Sequence, residues 1–285
     1  MAANKLKTIV KSFLPGYQTL NLEYPVQMKP RYGHGHPPHA LLYNIINAER
    51  EVYKEWLVRA LACKDPLSTI RDRSGVDNNI DPSWNNGFLP GLDIVMLYTI
   101  VSTLHPATYI EVGSGNSTKV VHKAKNDSQL KTRIVSIDPS PRAEIDSLSD
   151  VVIRTPFEKS DLGYFKSLRK GDIVFIDNSH RIFPNSDAMV FFMEILPDLP
   201  AGVVVHLHDI YLPYDYPQEM CDRYYSEQYC LAAFLLANPT RYKTIMPNYF
   251  VSQDAELNKI LNPFWSNPAM PKVERHGGSY WIEIQ

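Results

Sequence analysis

Thr108-Tyr-Ile-Glu-Val-Gly-Ser-Gly-Asn-Ser-Thr-Lys-Val-Val121, followed further on by Arg133-Ile-Val-Ser-Ile-Asp-Pro139, decides the fold. The first run is β-rich at Tyr109, Ile110 and Val112 and ends in a loop at Gly113 and Gly115. Ser117 and Thr118 are suited to cap a helix whose apolar positions Val120, Val121 and Ala124 have helical spacing. The second run is a strand that stops on a carboxylate, Asp138, which Pro139 fixes at the end of the ladder. A strand, a glycine turn, a helix and a strand ending in an acid make a nucleotide-cofactor site. The glycines let a cofactor approach the backbone, the helix start supplies free N–H groups, and the acid accepts hydrogen bonds from ribose hydroxyls.

Outward from this unit the alternation continues. Val151–Thr155 reads as a strand, Leu162–Leu168 as a short helix, and Asp172–Asp177 as a buried-type strand ending on an acid. Pro184–Leu196 reads as a helix with proline near its start, and Val203–Asp209 as a strand again ending on an acid. A longer helix over Glu219–Leu236, a strand over Lys243–Val251 and a closing strand over Ser279–Ile284 complete the pattern. Near-continuously apolar strands separated by helices predict an α/β fold, a doubly wound parallel sheet covered on both faces. Ligands of such sheets bind beyond the carboxyl ends of the strands. There the sequence gathers Gly113–Thr118, Asp138, Phe157, Glu158, Asp177–His180, His208 and Asp209.

Upstream, residues 1–36 look irregular, and 39–62 has helical periodicity through Leu42, Ile45, Ile46, Val52, Trp56, Leu57 and Ala60. Residues 64–90 are broken by proline and glycine, and a helix over Gly91–Thr103 leads into the glycine-loop strand. At 285 residues the chain fits one domain over 86–285 with an N-terminal extension over 1–85. The apolar surface of the 39–62 helix points to a homodimer contact or a lid. Hydrophobic content of 44% and charged content of 21% are ordinary for a globular enzyme. A net charge of −2 gives no electrostatic reason to expect a nucleic acid or an anionic membrane as partner. Cys63, Cys221 and Cys230 show no metal spacing and leave an odd count, which favours a reduced compartment. With no signal-peptide pattern and no bilayer-length apolar run, the expected location is cytoplasmic.

A dinucleotide fingerprint would place a third glycine where Thr118 stands. Glu111-Val-Gly-Ser-Gly-Asn-Ser117, with an acid two residues before the first glycine, instead resembles the first motif of class I S-adenosylmethionine-dependent methyltransferases. Asp138 matches that family's ribose-binding acid. The resemblance spans roughly 86–285, including Phe88-Leu-Pro-Gly-Leu-Asp-Ile-Val-Met-Leu-Tyr98, Phe175-Ile-Asp-Asn-Ser-His180, His206-Leu-His-Asp-Ile-Tyr-Leu-Pro213 and Gly278-Ser-Tyr-Trp-Ile-Glu283. These segments look like a bacterial subgroup met beside sugar and antibiotic-tailoring methyltransferases. Ser117 stands where the wider class has its third glycine. The resemblance implies a Rossmann-like seven-stranded sheet whose last strand is antiparallel, S-adenosylmethionine as cofactor and O-methylation of a small-molecule or glycan acceptor. It also implies a cofactor site at Glu111, Gly113, Ser114, Gly115, Ser117, Thr118, Asp138, Phe157, Glu158 and Asp177.

Transfer of a methyl group to a hydroxyl needs in-line placement and removal of a proton, by a histidine or a metal-bound alkoxide. His180, His208 and Asp209 are the catalytic candidates, with His180 and His208 the two candidate bases. Metal-dependent sugar O-methyltransferases that resemble the chain imply a divalent-ion set at Asp177, His208 and Asp209. Histidine in place of the first acid of the pair leaves room for a softer divalent ion or none. His34, His36 and His39 read as part of a structured loop, and the tyrosines of 211–217 and 224–229, with Glu227 and Gln228, as a candidate acceptor pocket. Two other classes stay open: an NAD(P)-dependent oxidoreductase or epimerase, which lacks a Tyr-x-x-x-Lys relay here, and a non-catalytic partner module.

Overall fold

Seven short segments pair into one sheet: β1 (Thr108–Val112), β2 (Arg133–Ile137), β3 (Val151–Ile153), β4 (Ile173–Ile176), β5 (Val204–Leu207), β6 (Tyr242–Pro247) and β7 (Tyr280–Ile284). This is a computed structural model, and it describes residues 13, 14, 18–20, 22–76, 78, 80–141, 144–267, 270 and 272–285. Of the irregular stretch expected over 1–36, residues 1–12, 15–17 and 21 lie outside those described, as do 77 and 79 of the 64–90 loop. The strand order is β3-β2-β1-β4-β5-β7-β6. The first five strands pair in parallel, while β7 runs antiparallel to both β5 and β6, the arrangement the family resemblance implies.

Register brings the functional ends together. Val112 lies opposite both Ile137 and Ile176, Ile137 opposite Ile153, and Ile176 opposite Leu207. The chain therefore leaves five adjacent strands at one level, and the loops that follow them share one edge. The strands β1, β2, β4 and β5 are buried along nearly their whole length, which is why their sequences are apolar runs and not alternations.

Helices α1 (Ala40–Ala48) and α2 (Arg50–Ala62) replace the single helix expected over 39–62. The break falls at Glu49, where the Tyr53 hydroxyl donates to the Ile46 carbonyl at 2.7 Å. The apolar side of both helices, including Leu42, Ile46, Tyr53, Leu57 and Ala60, joins the same core as the sheet. Next comes α3 (Gly91–Leu104), buried from Gly91 to Val101, packed on α2 and on α4 (Asn116–Asp127).

Three expected elements change shape. The helix expected over 184–196 starts at α5 (Asp187–Val190), because Asn185 is left-handed (φ 60°) and Ser186 caps Met189, and it widens into a π-helix over Phe191–Ile195. The helix expected over 219–236 is interrupted at Tyr224 (φ 61°) and resumes as α6 (Glu227–Ala237), because the N–H groups of Ser226 and Glu227 are drawn to the His180 carbonyl. The strand expected over 243–251 stops at Pro247, and α7 (Asn248–Gln253) begins where Asn248 turns inward to Asp93. Among the described residues no helix is long and apolar enough to cross a membrane.

Candidate active site

Gly113, the first residue after β1, sits at φ 82°, and an added Cβ would lie 1.8 Å from the Asp177 carbonyl oxygen. Only glycine allows the turn after β1 to pass this close to the end of β4. A Cβ at Gly115 would meet nothing within 4 Å, so that position opens outward from the turn. The Gly115 N–H donates to Thr118 Oγ1 at 3.1 Å as α4 begins.

Glu111 does not face that opening. Its buried carboxylate accepts from Ser117 (3.0 Å), Ser136 (2.7 Å), Thr118 and more distantly Tyr109 (3.4 Å). Burial pushes its pKa up to about 7, with the four hydroxyls pulling the other way. Glu111, Ser117 and Thr118 thus brace the turn from below, and a ligand would meet the turn's backbone instead.

Asp138, half-buried at the end of β2, accepts from the Ser114 N–H at 2.9 Å and the Ser140 N–H at 2.8 Å. Its carboxylate stands beside the open glycine turn, where the sequence places it. Phe157 is 3% exposed and packs edge-on against Phe165, so it belongs to the core. Its neighbour Glu158 is half-buried at the start of the turn after β3.

Past β4 and β5 the charged residues gather around His180. Its Nε2 lies 3.3 Å from Asp177 Oδ1 and 3.6 Å from Asp209 Oδ2, and its Nδ1 hydrogen-bonds Glu227 Oε1. The ring stacks on Tyr225, and the backbone is left-handed at φ 60°. Side-chain exposure is 1% for Glu227, 8% for His180, 21% for Asp209 and 35% for Asp177, so an incoming molecule meets the two aspartates first. Burial opposes the charge on His180, but Glu227 and Asp177 outweigh it and hold its pKa well above the ordinary histidine value. Burial likewise pushes Asp177 up, while His208 and His180 prevail and keep it below the usual carboxylate range.

His208 is set differently. Its Nε2 contacts the Phe88 carbonyl at 3.1 Å, and because a carbonyl only accepts, Nε2 carries the proton. Its Nδ1, buried without a hydrogen bond, points to Asp93 Oδ2 at 4.0 Å. Burial lowers its pKa, but Asp177, Asp209 and Asp93 raise it further. His208 therefore pins the end of β5 to the Asn86–Pro90 turn and stands behind the exposed aspartates. His206, on the same face, is stacked on Phe175 at 3.8 Å and bonded to Ser279, a packed neutral imidazole.

The trio Asp177, His208 and Asp209 does not converge on a point. Among the described residues no three His, Cys, Asp or Glu side chains are placed to hold a metal ion. The reason is local: the His180 imidazole occupies the space between the two aspartates. The His34-to-His39 stretch is structural as read, with His34 on the Asp215 carbonyl and His39 capping α1. Ser179, beside His180, is tied to Asp187 through both its N–H and its hydroxyl.

Sequence reasoning missed Asp93. It lies in the first turn of an otherwise apolar helix, where an acid reads as a helix-dipole partner. It is 1% exposed and receives Asn248 Nδ2 (2.7 Å) and the N–H groups of Gly278 (2.8 Å) and Ser279 (3.0 Å), locking α3, α7 and β7 together behind His208.

Residues 110–210, which run from β1 through the loop after β5 and so include both halves of this site, match the sequence family described as a methyltransferase domain. Over that stretch the chain matches a methyltransferase domain. No curated protein matches the chain. Solved structures similar to it include the SAH-bound Podospora anserina methyltransferase PaMTH1, at 14% identity and a TM-score of 0.40, covering 68% of this chain and 78% of that one. Another is the plantazolicin methyltransferase BpumL in complex with SAH, at 14% identity and a TM-score of 0.37, covering 66% of this chain and 82% of that one. Within the matched stretch and the loops beside it, the glycine turn and Asp138 form one half of the candidate site and the His180 cluster the other.

Proposed function

We propose that the methyltransferase domain uses S-adenosylmethionine to methylate a hydroxyl group of a small molecule or glycan. The outward-opening Gly115 and the Asp138 carboxylate beside it fit the cofactor, as do the backbone N–H groups at the start of α4. When bound, the cofactor supplies an electrophilic methyl on a sulfonium. Everything else is asked of the chain itself.

The observation that carries the hydroxyl reading is His180, wedged between two partly exposed carboxylates and held from behind by buried Glu227. Asp177 and Asp209 receive and orient the hydroxyl, and neutral His180 takes its proton at Nε2. Glu227 accepts from Nδ1–H, fixing the tautomer and favouring the imidazolium that forms. His208, with Nε2 committed to Phe88, positions the loop and is not the base. The three unpaired cysteines support a reducing, cytoplasmic setting.

Calorimetric titration with S-adenosylhomocysteine, NAD⁺ and NADP⁺ in parallel tests the cofactor, and micromolar binding of the first alone is expected. Binding of a nicotinamide cofactor instead would overturn the reading. His180→Ala is expected to lower methyl transfer by about 10²- to 10⁴-fold, the usual contribution of a general base, and to leave affinity for S-adenosylhomocysteine within about threefold, because the hydrogen-bond, ion-pair and ring partners of the His180 side chain among the described residues are Asp177, Asp209, Glu227 and Tyr225 and not the glycine turn or Asp138. Equal losses of both would remove His180 from the chemistry.

A further inference from the structure

Tyr211, Tyr214 and Tyr249 form a continuous aromatic row beside Asp209. Tyr211 and Tyr249 have ring centroids 4.5 Å apart, and Tyr249 meets Tyr214 edge-on at 5.8 Å. All three are half-buried, and none of their hydroxyls is hydrogen-bonded among the described residues. Tyr211 follows Asp209 by two positions, while Tyr249 follows Asn248, the partner of Asp93. The row therefore starts at the charged end of the site and runs away from it.

Its far end is held by a strap. Residues 28–39 lie along the loop after β5, and Asp215, 4% exposed, is their clasp. One carboxylate oxygen of Asp215 accepts the N–H groups of Arg31 (2.6 Å) and Tyr32 (3.2 Å), and the other accepts the Tyr229 hydroxyl (2.7 Å). The Asp215 N–H donates back to the Tyr32 carbonyl at 3.0 Å, the His39 N–H to the Pro213 carbonyl at 2.9 Å, and Gln218 to the Met28 carbonyl at 2.6 Å. Gly33 lies flat on Tyr214, where a Cβ would come within 2.8 Å of the tyrosine's own Cβ. The strap thus sets the position of Tyr214, and through it the row.

Charge decides what such a wall accepts. Burial, and then the negative charge of Asp209 and Asp93, push the Tyr211 phenol up, and burial with a smaller effect of Asp254 does the same to Tyr214. Among the described residues, His180 and His208 pair with the aspartates and Glu227, and Arg50 with Asp254 and Glu256. A phosphate or carboxylate close to the reacting hydroxyl would meet the partly exposed carboxylates of Asp177 and Asp209 first. Ring faces and phenolic hydroxyls instead suit an uncharged ring that carries hydroxyl groups.

We propose that Tyr211, Tyr214 and Tyr249 are the specificity-determining wall for the acceptor, set in place by the 28–39 strap through Asp215, and that they select a neutral hydroxylated ring over an anionic one. This rests on the methyltransferase reading. The test is saturation-transfer NMR on the full chain loaded with S-adenosylhomocysteine, using methyl glucoside and catechol as neutral probes and glucose 6-phosphate as the anionic one. Signal is expected from at least one neutral probe and at least tenfold less from glucose 6-phosphate. Tyr249→Ala is expected to weaken the neutral probe about tenfold while affinity for S-adenosylhomocysteine stays within twofold, which also shows the variant folded. Tyr249→Phe should retain most of the signal. Asp215→Asn, which keeps the strap's shape, should fall between them. No signal from either neutral probe, equal signal from glucose 6-phosphate, or an unaltered Tyr249→Ala overturns the proposal. Failure to bind S-adenosylhomocysteine in the unmutated chain would instead strike the methyltransferase reading itself.

Discussion

The two halves of the site are built on opposite plans. The half proposed for the cofactor is local: Glu111 reaches Ser117, Thr118 and Ser136, and Asp138 reaches Ser114 and Ser140, all within 25 positions. The half proposed for the acceptor is long-range and holds paired charges: His180 meets Glu227 across 47 positions, His208 meets Phe88 across 120, and Asp93 meets Asn248 across 155. A turn that must fit one cofactor is specified by adjacent residues in a strand–loop–helix. A cluster of buried opposite charges stays buried only when several elements surround it.

The cofactor half breaks hardest at Gly113. Gly113→Ala forces a Cβ into the Asp177 carbonyl and asks alanine to take φ 82°. Overpacking and the left-handed backbone together should cost about 3 kcal/mol or more, seen as a lowered urea midpoint with loss of S-adenosylhomocysteine binding. A variant that kept both would show that the turn and the end of β4 are not locked together.

Glu111 offers a comparable effect through pH. Its folded pKa, about 7, is raised above the usual 4.5. Its contribution to stability is therefore fully present below about pH 4.5 and is lost as pH rises through about 7. That displacement corresponds to about 3 kcal/mol. Unfolding free energies at pH 5 and pH 8 should fall more in the unmutated chain than in Glu111→Gln, by about that amount. Parallel falls would mean that the buried carboxylate is not the source.

The smallest of these effects sharpens the acceptor half. Glu227→Gln keeps the shape beside His180 but removes its charge, and should lower kcat by about 10²-fold, within the range for general acid–base groups. His180 has a raised folded pKa, so its charged cluster adds stability that is fully present below the ordinary value of about 6.5 and is lost as pH rises through the raised one. Neutral imidazole, the form that takes a proton, appears only on that same rise. The rate limb of kcat/KM should thus lie above the ordinary histidine range and move down in Glu227→Gln. A limb that stayed in place would make Glu227 a packing residue.

Much of this was legible beforehand, for stated reasons. The apolar runs of β1, β2, β4 and β5 announced buried parallel strands, and Gly113, Gly115 and Asp138 announced the turn. The helix expected over 219–236 failed because the His180 carbonyl captures the N–H groups at its middle, which no local spacing encodes. Phe157 and Glu111 were assigned to the ligand on the family resemblance, yet the first packs in the core on Phe165 and the second braces the turn through Ser117, Thr118 and Ser136, partners set by loop and helix packing.

The sequence by itself determined the strand alternation, the glycine turn and the level at which the acids end their strands, because hydrophobic period and backbone freedom are properties of neighbouring residues. Only the tertiary structure decided that His180, and not His208, stands between the aspartates, and that Glu227 and Asp93 support them. A buried charge is defined by what surrounds it, and here its surroundings come from helices and loops dozens of residues away.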